Sequence, residues 1–545
     1  MNILVIIPAR GGSKGIPRKN IRTLNGKPLV YYTIKTALNS KYNADVDVYV
    51  SSDDDEILSV SKNCGAKTYK RDRTKADDKT TLDPVIYDAY ISISQQKKKA
   101  YDIIVTLQPT SPLLKTASLD DAISQIVNNT SIDTIISVKE DTHLTWEKIE
   151  GRYIPNYDKR VNRQFLNPVF KETGGFLITR SPFVTEHNRI GKNIELFLLS
   201  DGEDIDIDTY EDWNLCEYYL KRKKILFVVS GYTEIGLGHV YNTLSIANDI
   251  LNHHIEFLVD KKSTLAYETI SSKNYSVHMQ KHNNIIDDIK RLSPDVVIND
   301  RLDTNYDYMI QLKALGIKKI INFEDLGEGS RMADLVINAI YPEKEILPGH
   351  YFGHKYFALR DEFLMIKRKA VSEKVKKVLI TFGGVDPNNY TLKVTECIYD
   401  YCNEHGIEIN IIAGFGYKMY GSIEKFKNAK VHKNVTNISE YMKESDIIFT
   451  SAGRTVFEVT SVCVPTIVLS QNDREMTHFF ATKEYGFMNM GLGYKVSKEE
   501  LLTTFMHIIQ SYETRKYMSE LMKQVDLKSG RKSIIKLIND IVGQI

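Results

Sequence analysis

Short apolar runs recur along the chain at the length of buried strands, and between them apolar residues fall at the three- and four-residue steps of helices. Ile3 to Ile7, the alternating Val46, Val48 and Val50, Ile103 to Leu107, and Thr134 to Val138 open the series. Val30, Ile34, Ala37 and Leu38 lie on one helical face after the first strand. The acidic run Asp53-Asp54-Asp55 suits the N-terminus of a helix carrying Ile57 and Leu58, because carboxylates are favoured at the positive end of the helix dipole. A second series follows at Ile225 to Val229, Val296 to Ile298, Lys319 to Ile321, Val378 to Ile380, Ile409 to Ile412, and Ile447 to Phe449. Strands alternating with helices predict an α/β fold with largely parallel sheets. Ile534, Leu537, Ile538 and Ile541 form the apolar stripe of a last helix that packs back on the body.

A chain of 545 residues exceeds one core. The clearest boundary is Lys221-Arg222-Lys223-Lys224, where a helix through Cys216 and Leu220 gives way to the strand opening at Ile225. This basic run reads as a solvated linker rather than a binding patch. A second break lies in the polar stretch from Lys367 to Lys377. The expected domains are therefore 1–222, 223–370 and 371–545.

Charge and cysteine usage narrow the function class. With 72 Lys and Arg against 70 Asp and Glu, and no basic stripe interleaved with aromatics, neither a nucleic-acid nor an anionic-membrane partner is expected. The five cysteines, Cys64, Cys216, Cys397, Cys402 and Cys463, show no metal-ligand spacing, the pattern of packing residues in a reduced protein. The first apolar run is broken by Pro8 and Arg10, and no later run approaches ~18 apolar residues. The expectation is a cytoplasmic protein.

The chemistry-bearing stretch is Ile6-Ile7-Pro8-Ala9-Arg10-Gly11-Gly12-Ser13-Lys14-Gly15-Ile16-Pro17-Arg18-Lys19-Asn20. A strand here runs into a loop whose glycines let backbone N–H groups converge on one anion, beside the cations Arg10, Lys14, Arg18 and Lys19. It fits a nucleoside triphosphate, yet matches neither the dinucleotide fingerprint nor the Walker pattern. Far downstream, Asp206 and Asp208 flank Ile207. On a strand their side chains would share a face and suit a hard cation, Mg²⁺, completed by substrate phosphate. Asp204 is a spare third carboxylate, and Glu211 and Asp212 read as first-turn acids of the next helix.

Taken together, the loop string, Leu107-Gln108-Pro109-Thr110-Ser111-Pro112, Asn162-Arg163-Gln164 and Asp204-Ile205-Asp206-Ile207-Asp208-Thr209 resemble, in order, the motifs of the acylneuraminate cytidylyltransferases, the CMP-sialic acid synthetase family. The resemblance covers roughly residues 1–220. It implies a Rossmann-like nucleotidyltransferase domain that joins CTP to a nine-carbon 2-keto sugar acid, a nonulosonic acid, and a possible homodimer through this domain. By the same resemblance Arg10 and Lys19 hold the triphosphate, with Lys14 and Asn20 as further candidates, and Asp206 and Asp208 hold the metal. Arg71, with Arg73 as a rival, contacts the nucleotide. Gln108, Arg163 and Gln164 meet the sugar acid, where an Arg fork suits a carboxylate. The chain departs from the family at Leu114, where relatives often carry Arg, and at Lys171-Glu172-Thr173-Gly174-Gly175. The sugar pocket is therefore expected to differ in detail, and sialic, legionaminic and pseudaminic acids remain alternatives.

In the second half, Ile235-Gly236-Leu237-Gly238-His239 places a histidine past a glycine turn, where it could act as a general base. This loop, with Ile298-Asn299-Asp300, Phe323-Glu324-Asp325, Thr381-Phe382-Gly383-Gly384-Val385-Asp386, and Ser451-Ala452-Gly453 with Glu458, resembles the UDP-sugar hydrolase of pseudaminic acid biosynthesis and its relatives, over roughly residues 224–530. The resemblance implies a two-lobed GT-B-like α/β region, His239 as the base, Gly383, Gly384 and Gly453 near phosphate, and Glu458 on the ribose of a UDP-sugar. The basic residue expected three positions after the histidine is replaced by Asn242. A hydrolase, a glycosyltransferase and an inactive nucleotide-sugar-binding module are the alternatives for this region.

Overall fold

The run that follows Asn2 folds as the strand Ile3–Pro8. Its odd positions Ile3, Val5 and Ile7 enter one core with Val30, Ile34 and Ile57. Its even positions Leu4 and Ile6 enter a second core with Ile86, Ala89 and Ile93, as a two-residue period between two helical layers requires. The computed structural model describes residues 1–545 apart from positions 78, 201, 233, 234, 415 and 434. Its contacts divide the chain into two units, Met1–Arg222 and Lys223–Ile545.

In the first unit a seven-stranded sheet runs, in spatial order, Ile194–Leu198, Thr134–Glu140, Phe170–Arg180, Ile103–Thr106, Ile3–Pro8, Val46–Ser52 and Lys67–Lys70. Only Phe170–Arg180 pairs antiparallel with its neighbours. The strand order reverses between Ile3–Pro8 and Ile103–Thr106, and ligands of such sheets bind at the carboxyl ends of strands beside that reversal. The glycine-rich loop leaves one of these two ends and Gln108 follows the other. Asp54 caps the helix Asp55–Asn63 by accepting from Glu56 and Ile57 N–H at 2.8 and 3.1 Å.

One expectation is corrected. The segment from Ile205 to Asp208 forms no strand. It is held by a single ladder-like bond, Ile207 N–H to the Thr110 carbonyl at 2.8 Å, and by the Ile207 side chain, which is fully buried with Ile16, Leu24, Leu29 and Trp213. With apolar contacts from Ile207 and, partly, Ile205, and no sheet partner, the two carboxylates are not equivalent: Asp206 is half-buried, whereas the Asp208 side chain is 76% exposed. The helix Tyr210–Lys221 then starts with a capping box in which Thr209 and Asp212 bond reciprocally, in line with the first-turn acids read from sequence.

The second unit holds two wholly parallel sheets. The first runs Val277–Met279, His254–Val259, Lys224–Val229, Val296–Asp300, Lys319–Phe323, Leu335–Asn338 and His350–Phe352. The second runs Ala429–Lys433, Glu408–Ala413, Lys377–Ile380, Ile447–Thr450, Thr466–Ser470 and Phe487–Leu492. Each reverses order beside its own first strand, so this unit is a pair of doubly wound lobes in the GT-B manner. The lobes share a core in which Phe357 stacks on Phe457 at 4.1 Å and Phe457 on Phe480 at 4.2 Å. The last helix, Gly530–Val542, returns to the first lobe and buries Ile534, Ile538 and Val542 there. Among the described residues no helix is long and apolar enough to cross a membrane.

The packing of the first loop yields a direct check. A Cβ on Gly15 would lie 2.7 Å from the Asp208 carbonyl oxygen, whereas one on Gly12 would meet nothing within 4 Å. Gly15→Ala is expected to lower urea stability by about 1–3 kcal/mol, and Gly12→Ala to leave it within roughly 0.5 kcal/mol. Equal losses in the two denaturation curves would contradict this packing.

Candidate active site

The cationic loop is braced from beneath before any ligand enters. Ala9 N–H donates to the Ser51 carbonyl at 2.9 Å and Gly11 N–H to Asp53 Oδ1 at 3.1 Å. Asn20 is buried, and its Nδ2 donates to the Arg10 carbonyl at 2.9 Å. Asn20 therefore supports the loop from inside. Lys19 is nearly covered, with its Nζ 2.6 Å from the Ile207 carbonyl and 3.3 Å from Asp208 Oδ1. Arg10 donates from Nη1 to the Asp77 carbonyl at 3.2 Å. Arg18, in the left-handed region at φ 58°, pairs with Glu56 at the exposed surface, an arrangement worth at most about 1 kcal/mol. Lys14 is exposed on the same loop.

Arg71 is only 4% exposed, and its Nε and Nη2 have no hydrogen-bond partner among the described residues. Asp53 Oδ1 lies 3.5 Å from Nη2. Burial pulls the Arg71 pKa down, the Asp53 carboxylate opposes this, and Arg10 adds to it. Buried guanidinium donors without a full set of hydrogen bonds are costly, so beyond the Asp53 pair this group retains capacity for a further acceptor. Arg73, the rival, is exposed.

Asp206 presents the complementary defect. Its Oδ1 is buried with no hydrogen-bond partner among the described residues. Burial raises its pKa, neighbouring Asp208 raises it further, and Lys19 and Thr110 oppose the shift. Gly174 makes the approach possible: a Cβ there would stand 2.8 Å from Ser111 Oγ and 2.9 Å from Asp206 Oδ1. Among the described residues no group of three or more His, Cys, Asp or Glu gathers as a metal cage. Two carboxylates, one with an unmet oxygen, fit a hard divalent cation that keeps waters and takes phosphate for its remaining ligands.

Asp204 stands apart from that pair. It lines a cavity of about 510 Å³ with Arg163, Gln164, Lys139 and Ser200, and lies 3.6 Å from Lys139 Nζ. Arg163 and Gln164 thus meet in one cavity, whereas Gln108 is not among its lining residues; Gln108 N–H bonds to the Gly174 carbonyl at 3.2 Å. Lys115 reaches Ser200 and the buried Glu203 instead. Lys139 went unread in the sequence, because a lone Lys carries no spacing signal, and Ser111 was read only as a member of the Leu107 to Pro112 motif.

In the second unit His239 is the second residue of the helix Gly238–Ala247. Its Nδ1 lies 2.5 Å from Asp300 Oδ1, at the end of the strand Val296–Asp300. A carboxylate on Nδ1 fixes the tautomer and leaves Nε2 as the nitrogen able to accept a proton. Asn242 donates to the other Asp300 oxygen at 2.6 Å. Glu324 is buried in the left-handed region at φ 52°, and burial lifts its pKa to about 7 against the pull of Arg454. Gly383, at φ 77°, and Gly384 open onto free space after the strand Lys377–Ile380, and Gly453 follows the strand Ile447–Thr450. The Glu458 carboxylate is engaged by Arg360 Nε at 2.6 Å.

Comparison with known proteins agrees with the first unit's geometry. The cytidylyltransferase family model matches residues 4–146. The pseudaminic acid cytidylyltransferase of Campylobacter jejuni is 34% identical over 237 residues, 42% of this chain and 98% of that protein. The CMP-N,N'-diacetyllegionaminic acid synthase of Legionella pneumophila is 31% identical over 229 residues, 40% of this chain and 95% of that protein. An uncharacterized protein of Methanocaldococcus jannaschii is 34% identical over 277 residues, 46% of this chain; the chain spans 56% of its length. The chain belongs to the cytidylyltransferase family, and its first unit is a nucleotidyltransferase.

The Asp206 environment has a measurable consequence. A carboxyl with a raised folded pKa contributes stability below its unfolded value and loses it as pH rises through the folded one. Asp206→Asn is therefore expected to raise the melting temperature of metal-free protein at neutral pH by about 2–4 °C. Added Mg²⁺ or Mn²⁺ should raise the melting temperature of the wild type alone. An equal metal response in the variant would contradict the assignment of Asp206.

Proposed function

We propose that residues 1–222 transfer CMP from CTP to a nine-carbon 2-keto sugar acid, releasing pyrophosphate. The observation that carries this reading is the closure of the cationic loop on the carboxylate segment, with Lys19 touching both Ile207 and Asp208. The anomeric oxygen of the sugar attacks the α-phosphorus, the bond to the pyrophosphate oxygen breaks, and the hydroxyl proton passes to solvent. Arg10, Lys19 and Lys14 offset charge on the phosphates as it shifts toward the leaving group. Arg71 offers its unmet donors to the nucleotide. Asp206 and Asp208 would hold Mg²⁺, which supplies charge neutralisation at the phosphoryl oxygens. Arg163 and Gln164 face the cavity suited to the sugar acid, with Arg163 on its carboxylate. The two relatives named for pseudaminic and diacetyllegionaminic acids support a sugar acid of that type. A homodimer through this unit is supported by the hairpin Trp146–Ile149 and Arg152–Pro155, whose Trp146 and Tyr153 are 56% and 70% exposed.

For residues 223–545 we propose hydrolysis of a UDP-sugar. His239 takes a proton from water, the oxygen attacks the anomeric carbon, and the bond to the UDP oxygen breaks. The Asp300-held histidine supports an active site over an inactive module. A glycosyltransferase would use the same base on an acceptor hydroxyl, and a UDP-sugar incubated without acceptor separates the two, since only a hydrolase then frees sugar. The contacts of Gly383, Gly384 and Gly453 with phosphate, and of Glu458 with ribose, belong to this reading; for Glu458 they require release from Arg360.

Pyrophosphate release from CTP with Mg²⁺ and a panel of 2-keto nine-carbon acids tests the first half. Asp208→Asn and Arg10→Ala are each expected to depress release by roughly 10²-fold or more and to leave UDP-sugar cleavage intact. His239→Asn is expected to do the reverse. Loss of both activities in any one variant would contradict two separate sites.

A further inference from the structure

Asn242 stands where a basic residue is expected three positions after the loop histidine, and the fold places a cation at its side chain from elsewhere in the sequence. Arg454 lies directly after Gly453, at the start of the helix Thr455–Val462 in the second lobe. Its Nη2 donates to Asn242 Oδ1 at 2.6 Å, and its Nη1 lies 3.2 Å from Glu324 Oε1. Asn242 Nδ2 in turn donates to Asp300 Oδ2 at 2.6 Å, and Asp300 Oδ1 meets His239 Nδ1 at 2.5 Å. The result is one continuous chain: Glu324, Arg454, Asn242, Asp300, His239. It is sheltered, with side-chain exposures of 2% for Glu324, 16% for Arg454, 0% for Asp300 and 14% for His239.

Arg454 is seated rather than loose. Its guanidinium lies over the Phe357 ring at 4.5 Å, and a Cβ on Gly238, the residue before His239, would come within 3.2 Å of Arg454 Cδ. The glycine of the histidine loop thus leaves room for the arginine stem. Glu324 keeps a buried Oε2 without a partner among the described residues, and its left-handed backbone is the kind of strain found at working sites.

We propose that Arg454 is a positioning residue of the His239 site: reaching in from the second lobe, it takes the place of the missing basic residue at 242 and fixes the orientation and charge of the Asp300–His239 pair. This deepens, and for its catalytic consequence rests on, the reading of the second unit as a nucleotide-sugar hydrolase. The arginine locks the Asn242 amide so that its NH₂ faces Asp300, and it offsets the charge of Asp300 and Glu324 near His239. Because Gly453 precedes it, a nucleotide bound at that turn would act on the same backbone that carries the arginine.

The charged and titratable groups facing this chain are Asp300, Glu324 and Arg454, with Tyr341 beside Glu324, His478 beside Arg454, and Arg474 beside Tyr341 and His478. Removing the Arg454 charge should favour protonated His239; Glu324, whose pKa burial lifts to about 7, carries its full charge only above that pH and so has the smaller effect. The test uses the full chain labelled at histidine Cε1, with the His239 signal assigned from His239→Gln, and records its NMR titration in wild type, Arg454→Ala, Arg454→Lys and Glu324→Gln. Arg454→Ala is expected to move the His239 midpoint up by roughly half a pH unit or more, and Glu324→Gln to move it down by less. Arg454→Lys, which keeps the charge and guards against misfolding of the alanine variant, is expected to stay near wild type. The acidic limb of the UDP-sugar hydrolysis profile should follow the same shifts, with kcat at pH 7 falling roughly tenfold in Arg454→Ala and KM changing less than about twofold. An unchanged His239 midpoint in folded Arg454→Ala, or a Lys variant displaced as far as the Ala variant, would overturn the proposal. Shifted midpoints without hydrolysis in any form would support the link and overturn the hydrolase reading alone.

Discussion

The first unit depends on a small apolar lock. Ile16, from the cationic loop, and Ile207, from the carboxylate segment, are both fully buried in one cluster with Leu24, Leu29 and Trp213. Burying such side chains is worth roughly 1.5–3 kcal/mol each, more than an exposed ion pair returns. It is therefore the hydrophobic contact, and not attraction between the charges, that sets the register of the two segments. Gly15 against the Asp208 carbonyl and Lys19 on the Ile207 carbonyl are consequences of that register. So is the half-buried state of Asp206, whose unmet oxygen leaves room for a cation to be favoured. The charges are held in place by residues that carry none.

Much of this was legible in the chain. The strands at Ile3–Pro8, Val46–Ser52, Ile103–Thr106 and Thr134–Glu140 stand where the apolar runs predict them, because a strand buried on both faces leaves an unambiguous mark. The loop motif, too, stood out, since glycines and cations cluster there and follow neither the strand nor the helix period. What misled was the spacing of Asp206 and Asp208. A two-residue period implies a shared face only where a sheet enforces the pleat, and Ile205 to Asp208 has no strand beside it. Asn20, read as a phosphate ligand, faces inward to Arg10, a contact that residue type alone does not reveal.

In the second unit the gap between sequence and structure is wider and has a different cause. His239 could be found because a glycine turn announces it. Glu324 was legible only as part of the Phe323-Glu324-Asp325 motif and Arg454 not at all, and their pairing was illegible because they meet across 130 positions of sequence. Their pairing exists only because the two lobes share the Phe357, Phe457 and Phe480 core. Because the Glu324–Arg454 pair spans both lobes, a motion between the lobes would alter the surroundings of His239.

The central claim is that one nucleotide is gripped jointly by the loop through Arg10 and Lys19 and by the carboxylates of Asp206 and Asp208. Crystals grown with CTP and Mn²⁺ test it most directly, since manganese reports its own position by anomalous scattering. The account predicts an anomalous peak bound by Asp206, Asp208 and the α-phosphate, with Arg10 and Lys19 on the phosphate chain and Arg71 turned to the nucleotide. A manganese site away from Asp206, or a triphosphate that bypasses the loop from Ala9 to Asn20, would contradict it.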